Sequence, residues 1–352
     1  MYTHDYIIIG QGLSGTSIAQ QLIARNKSFL IIDDLDPHQA SRIASGIWNP
    51  VTLKRMKLSW LAAEMLPFIK PFYQEAEQTF NASFIQEIHV NRLFAVAEET
   101  NDWIEKSDLP IFENLLNAKI RQNSNPHIES KFGFGEVSVS GRIVTEAWLD
   151  AARRYFKQHN IFKEEKFDFT LLQTSGEGVF YKDIKAKGII FCEGMHAAFN
   201  NPFFKHIPYS VTKGEVLEIK CSDLQLDKII NSGVFVLPLG NDHYKIGATY
   251  DWDNHDLKPT ESARVELTSK LEKFMTAPYE IICQSVGVRP TIKDRRPLLG
   301  THPEHPTVHI FNGMGSRGVY MAPYLSDMLI NHILDGKVMH KEADISRFNK
   351  LR

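Results

Sequence analysis

The sequence is poor in cysteine, in excess charge of either sign and in long apolar runs, and each shortage removes a class of protein. Cys192, Cys221 and Cys283 lie far apart and form no C-x-x-C pair, so neither a zinc site nor a disulfide framework is expected. Scattered free thiols suit a reducing, cytoplasmic setting. The 40 Lys and Arg against 42 Asp and Glu leave a net charge of -2. Nucleic acid and acidic membranes are bound through clustered positive charge, so neither is an expected partner. The one basic cluster, Lys54-Arg55-Met56-Lys57, reads as a solvated loop. No run reaches the roughly 18 apolar residues of a membrane helix, and the first apolar run, from Tyr6, reads as a strand rather than as part of a removable leader. Internal repeats and low-complexity stretches are also missing. Of the 14 histidines, His302, His305 and His309 cluster, but without convergent metal-ligand spacing.

What the chain does have is a glycine-rich fingerprint near each end: Tyr6-Ile7-Ile8-Ile9-Gly10-Gln11-Gly12-Leu13-Ser14-Gly15 and Gly313-Met314-Gly315-Ser316-Arg317-Gly318. Residues 5 to 33 read as strand, glycine turn, helix and strand. In such a unit Gly10 permits the tight turn, Gly12 lets backbone N–H groups approach a pyrophosphate, and Gly15 lets helix and strand pack closely. The helix start, at Leu13 and Ser14, offers phosphates unpaired N–H groups and the positive end of its dipole. Asp33 ends the second strand 21 residues after Gly12, placed for ribose hydroxyls and against a 2′-phosphate. Asp34 is its rival, and the strand register favours Asp33. One fingerprint leaves nicotinamide and flavin equally open; the second points to flavin.

Between the fingerprints, Ser41-Arg42-Ile43-Ala44-Ser45-Gly46-Ile47-Trp48-Asn49-Pro50 is a loop of small residues that would let a flat ring and its phosphates lie against backbone. Helices are expected over 59–80, 145–158 with Thr145 as N-cap, and 261–275. Strands are expected over 187–194, 216–219, 234–237 and 244–249, with a hairpin around 174–178 and strands and loops through 82–140. Residues 306–335 return to strand, glycine turn and helix. The expected architecture is α/β: a Rossmann-type FAD-binding domain of residues 1–82, 141–208 and 286–352, into which a mainly antiparallel, sheet-based substrate domain of residues 83–140 and 209–285 is inserted.

This order of segments resembles the family of D-amino acid oxidase, glycine oxidase and monomeric sarcosine oxidase, flavoproteins that oxidise carbon–nitrogen bonds. The resemblance spans nearly the whole chain. It rests on the first fingerprint, the 41–50 loop, Ile189-Ile190-Phe191-Cys192-Glu193-Gly194, Lys213-Gly214-Glu215-Val216-Leu217, and Leu237-Pro238 with Lys245-Ile246-Gly247-Ala248-Thr249. It continues through Gly287-Val288-Arg289-Pro290, Asp294-Arg295-Arg296-Pro297-Leu298-Leu299-Gly300 and the closing Gly313 to Pro323 segment.

The resemblance implies FAD, bound without a covalent link because Gly287 stands where sarcosine oxidase carries its flavin-bonding cysteine. It implies contacts from Ser41, Arg42, Ser45, Gly46, Gly194 and the Gly313 to Val319 turn. It also implies that Arg289 holds a substrate carboxylate. A planar guanidinium grips a carboxylate through two parallel hydrogen bonds, which would set the substrate Cα–H over flavin N5. Arg317 offers a second positive charge beside the flavin. The helix that starts at Gly318 would face the pyrimidine edge of the ring, where negative charge develops on reduction.

Phe235 replaces a tyrosine that contacts substrate in glycine oxidase, which makes glycine itself a poor expectation. Tyr250 is the candidate replacement. No catalytic base stands out, and hydride transfer from a neutral amine requires none. The expected partners are a small amine or amino acid and oxygen or another electron acceptor. A 2-hydroxy acid substrate and, against the lack of a basic face, tRNA modification are the alternatives.

Overall fold

The computed structural model describes residues 3–36 and 38–351. Two sheets carry the architecture. The eight-stranded sheet is built on the parallel strands Phe162–Glu164, at one edge, Phe29–Asp33, His4–Ile9, Ile184–Phe191 and Val308–Asn312. Ile7, Ile8, Ile31, Ile32, Ile189 and Ile190 are fully buried, as expected for parallel strands covered on both faces, whose runs are continuously apolar rather than alternating. One face is covered by the helices Leu13–Ala24, Ala62–Phe80, Thr145–Gln158 and Gly318–Asp335. On the other face Phe204, Ile207, Ile292 and Phe348 join the buried cluster.

The seven-stranded sheet runs in the order Glu280–Arg289, Thr212–Lys220, His243–Gly247, Val234–Gly240, Ile229–Ser232, Val90–Leu93 and Phe134–Val137. All its pairs are antiparallel except Ile229–Ser232 with Val90–Leu93. The helix Glu261–Leu271 buries Leu267 and Leu271 in a core shared with Leu217, Val236 and Ile246. The alternating strands, the 174–178 hairpin and the α/β class stand as expected.

Several local readings need correction. Residues 97–107 form a helix inside the stretch read as strands and loops. It escapes pattern reading because its only apolar residues are Ala97, Trp103 and Ile104, of which Trp103 alone is buried, so the segment reads as a polar loop. Thr145 is the first helical residue, not the cap: Val144 occupies the cap without a side-chain bond, and the Thr145 hydroxyl donates to the Ala44 carbonyl at 3.3 Å. The helix expected from Ser59 begins at Ala62, because Leu61 adopts a left-handed conformation. The helix expected to reach Met275 ends at Leu271. The 41–50 loop is partly ordered, with a helical turn Ala40–Ile43 and a strand Ile47–Trp48 paired to Gly141–Ile143.

Candidate functional site

The first glycine turn is shaped by close backbone approach. Gly10 has φ +97°, and a Cβ there would lie 2.6 Å from the Cys192 carbonyl oxygen; a Cβ at Gly15 would overlap the Gly10 carbonyl oxygen. Gly12 caps the helix without any side-chain bond, and Ser41 Oγ accepts the Leu13 N–H at 3.0 Å. Asp33 is buried and spends its carboxylate on the turn. Its Oδ2 accepts the Gln11 N–H at 2.6 Å and its Oδ1 accepts the Leu35 N–H at 2.8 Å, while Gln39 Nε2 donates to both oxygens. Asp34 is exposed. Of the two acids it is Asp33 that faces the turn, and there it acts as the brace of the loop.

Around this acid are residues the sequence did not mark. Arg153 Nε donates to Gln11 Oε1 at 2.7 Å, while Arg153 Nη2 and Gln39 Oε1 are buried without a partner. Their only sequence signal is polarity on otherwise ordinary elements, because Arg153 reaches Gln11 across 142 positions. A glycine turn, an uncapped helix start and unpartnered polar atoms beside an acid fit the phosphates and sugar of FAD, since buried polar groups normally have partners.

Other members of the expected set are placed differently. Arg42 is paired with Asp150 at 2.5 Å and with Glu146 at 3.9 Å. Gly46, at φ +73°, lies so close to the Ile143 carbonyl oxygen that any Cβ would overlap it, and the Ser45 carbonyl accepts from Arg142. These two hold the loop to the neighbouring strand. Gly194, at φ +57°, faces open space, and its carbonyl accepts from Asn312 Nδ2 at 2.9 Å. Beside it Glu193 is buried, which pushes its carboxyl up to about 7, against a lowering hydrogen bond from Asn201.

The two fingerprints meet in space. Gly318 packs on Leu13, whose methyl carbons lie 3.4 Å from where a Cβ would stand. Gly313 and Gly315 both have positive φ, at +77° and +55°. Ser316 is exposed, and Val319 is buried in the core, its carbonyl accepting the Tyr73 hydroxyl at 2.8 Å. A bridge from Thr291 to Met314 brings the end of the strand Glu280–Arg289 beside this turn.

There Arg289 stands over the Tyr250 ring at 4.4 Å and donates to the Thr249 carbonyl at 3.3 Å. Its guanidinium lies on the bare backbone of Gly214, where any Cβ would overlap it. Arg317 donates to Ser59 Oγ and, at 2.9 Å, to Thr52 Oγ1. Among the described residues no carboxylate pairs with either arginine. Burial disfavours the charge of both, and the ionisable groups acting the other way are phenols: Tyr250 on both, and Tyr320 on Arg317. Tyr250 is 57% exposed, so the charges are reached past its ring. Phe235 lies opposite Gly247 in register, its ring filling the space a side chain there would need. It packs with the apolar residues of the 51–58 hairpin that carries Thr52. The structure thus brings Arg289, Tyr250, Arg317 and Phe235 to one end of the second sheet.

Fold and turns define a flavin-dependent oxidoreductase. The chain belongs to the DAO family of FAD-dependent oxidoreductases, whose profile matches residues 5–331. It is 24% identical to the uncharacterized oxidoreductase YurR of Bacillus subtilis over 98% of both chains. It is also 22% identical to the tRNA 5-methylaminomethyl-2-thiouridine biosynthesis bifunctional protein MnmC of Marinobacter nauticus, over 94% of this chain and 56% of that protein. Its fold matches glycine oxidase from Geobacillus kaustophilus with a TM-score of 0.80 at 18% identity, covering 99% of this chain and 98% of that one. The protein is therefore an enzyme whose cofactor is FAD.

Proposed function

We propose that this enzyme oxidises the C–N bond of a small amine or amino acid whose carboxylate is held by Arg289. The observation that carries the reading is a half-buried guanidinium with no carboxylate partner among the described residues, held between the Tyr250 ring and the backbone of Gly214. A buried charge left uncompensated is costly, and a substrate carboxylate removes that cost while accepting two parallel hydrogen bonds.

Residues 1–82, 141–208 and 286–352 hold the cofactor in this reading, with Gly10 to Gly15, Asp33, Gly194 and the Gly313 to Gly318 turn lining it; residues 83–140 and 209–285 form the substrate side. Bound there, FAD supplies the acceptor for the hydride that leaves the substrate carbon. The amine becomes an imine, which water converts to a carbonyl compound. Arg289 fixes the carboxylate, Tyr250 closes the mouth over it, and Phe235 gives one wall an apolar surface. Gly287 has no side chain to bond the flavin, so the cofactor is held non-covalently. Buried Cys192 and Cys221 and exposed Cys283, all free thiols, suit a reducing, cytoplasmic compartment. A tRNA substrate would need positive charge spread over a wide face; the basic residues at the mouth are confined to the short 54–57 segment, and a net charge of -2 supports a small molecule.

The test is anaerobic mixing of the yellow holoprotein with a panel of amines, amino acids and 2-hydroxy acids. Bleaching of the flavin band by amines agrees with the reading. Bleaching by hydroxy acids alone, or a colourless protein, overturns it.

A further inference from the structure

The clamp described above uses one buried guanidinium, and the same site holds two. Arg317 is as short of negative charge as Arg289: its partners are the hydroxyls of Thr52 and Ser59, which orient a guanidinium without neutralising it. The bridge from Thr291 to Met314 brings the end of the strand that carries Arg289 beside the turn that carries Arg317, and the Tyr250 ring on Arg289 lies within electrostatic reach of both. The isoalloxazine ring of oxidised FAD is neutral and leaves Arg317 uncompensated in the resting enzyme.

A second, independent feature has the same sign. The hairpin that presents Thr52 to Arg317, Val51–Thr52 with Lys57–Leu58, exposes Lys54, Arg55 and Lys57, and none of the three ion-pairs among the described residues. In a chain of net charge -2 this local surplus of positive charge favours the encounter of an anionic ligand.

We propose that the substrate carries two anionic groups, one carboxylate for Arg289 and a second for Arg317, and is therefore an amine bearing two carboxylates. This rests on Arg289 as the clamp for the first. A monocarboxylate would fill one half of the site and leave the other guanidinium buried without a counter-charge, which is the costlier arrangement. Charge-assisted hydrogen bonds are the strong ones, so the second contact should discriminate between ligands that differ only in that group.

The experiment uses the FAD-loaded full chain and two readouts. The first is equilibrium binding, followed by perturbation of the flavin spectrum, of acetate and propionate against malonate, succinate and glutarate. The second is anaerobic flavin reduction by N-methylglycine against iminodiacetate and by alanine against aspartate and glutamate. In the wild type at least one dicarboxylate should bind about tenfold or more tightly than its monocarboxylate counterpart. Arg317→Met should abolish that preference by weakening dicarboxylate binding about tenfold more than monocarboxylate binding, and Arg289→Met should weaken both classes.

Equal binding of matched mono- and dicarboxylates by the wild type overturns the proposal without any variant having to fold. An Arg317→Met protein that loses both classes equally, with a shifted flavin midpoint potential, overturns it too, because Arg317 then serves the cofactor. Reduction by monocarboxylic amines with no dicarboxylate preference sinks only the second-anion proposal. A flavin unaffected by any carboxylate or amine sinks the clamp at Arg289 as well.

Discussion

At the Gly10–Gly15 turn the chain spends its own polar groups on itself. Asp33 braces Gln11, Leu35 and Gln39, and Ser41 takes the first helical N–H. Near the Gly313–Gly318 turn, two half-buried arginines have hydroxyl, carbonyl and aromatic partners and, among the described residues, no carboxylate. The first region is built to fit a ligand by backbone shape, with its acid already answered and only Arg153 Nη2 and Gln39 Oε1 left without a partner. The second is built to wait for charge. A cofactor that stays bound suits the first arrangement, and a substrate that comes and goes suits the second.

The sharpest way to break the comparison is at Gly15. Gly15→Ala forces a Cβ into the Gly10 carbonyl oxygen, backbone against backbone, and should cost about 4 kcal/mol or more. The purified protein should then lack its flavin absorbance or fail to fold, whereas a yellow, folded Gly15→Ala protein would show that shape is not what holds the cofactor.

At the other region the effect should fall on turnover alone. Arg289→Ala should lower the rate of flavin reduction per substrate concentration by about 100- to 1000-fold, roughly 3 to 4 kcal/mol, with FAD occupancy unchanged. Loss of FAD in that variant would dissolve the distinction between the two regions.

Glu193 tests the ground between the turns. Its carboxyl is raised by burial from 4.5 to about 7, so between those values the folded protein keeps a proton that the unfolded chain releases. The stabilisation is present below about pH 4.5 and lost as pH rises through about 7, up to about 3 kcal/mol. Urea unfolding of wild type minus Glu193→Gln across pH 4 to 8 should show this decline. Buried His309, lowered to about 3, pulls the opposite way but cancels in the difference. A flat difference curve would mean that Glu193 ionises freely.

The smallest effect should come from Gly214→Ala. The new Cβ meets the Arg289 guanidinium, the far end of a flexible side chain, so stability should change by less than about 1 kcal/mol while the substrate KM rises about tenfold. Unchanged KM would mean that the position of the guanidinium is not set by Gly214.

The first region was legible because its geometry is local. Strand, glycines, helix and Asp33 follow one another within 30 positions, and close approach admits only glycine at Gly10 and Gly15. The helix 97–107 was not legible, since so polar a segment, with Trp103 as its one buried residue, looks like a loop. Thr145 was misread as a cap because a hydroxyl residue at a helix start has the same sequence appearance whether it sits at the cap or one position later. Arg42, Ser45 and Gly46 were placed correctly in the loop beside the turn, but Arg42 is paired to acids on a neighbouring helix and Gly46 is needed for strand contact.

By itself, then, the sequence determined the α/β class, the glycine turn after the first strand, the acid at the end of the second strand, and the identity of FAD through the ordered motifs. Only the tertiary structure decided that the segments carrying Arg289 and Arg317 meet and that, among the described residues, neither arginine pairs with a carboxylate. Arg317 finds Ser59 and Thr52 across 258 and 265 positions, and whether a buried charge has a counter-charge is a property of everything folded around it. Spacing along the chain governs which backbone atoms can touch; the balance of charge in a cavity is settled by distant residues meeting in three dimensions.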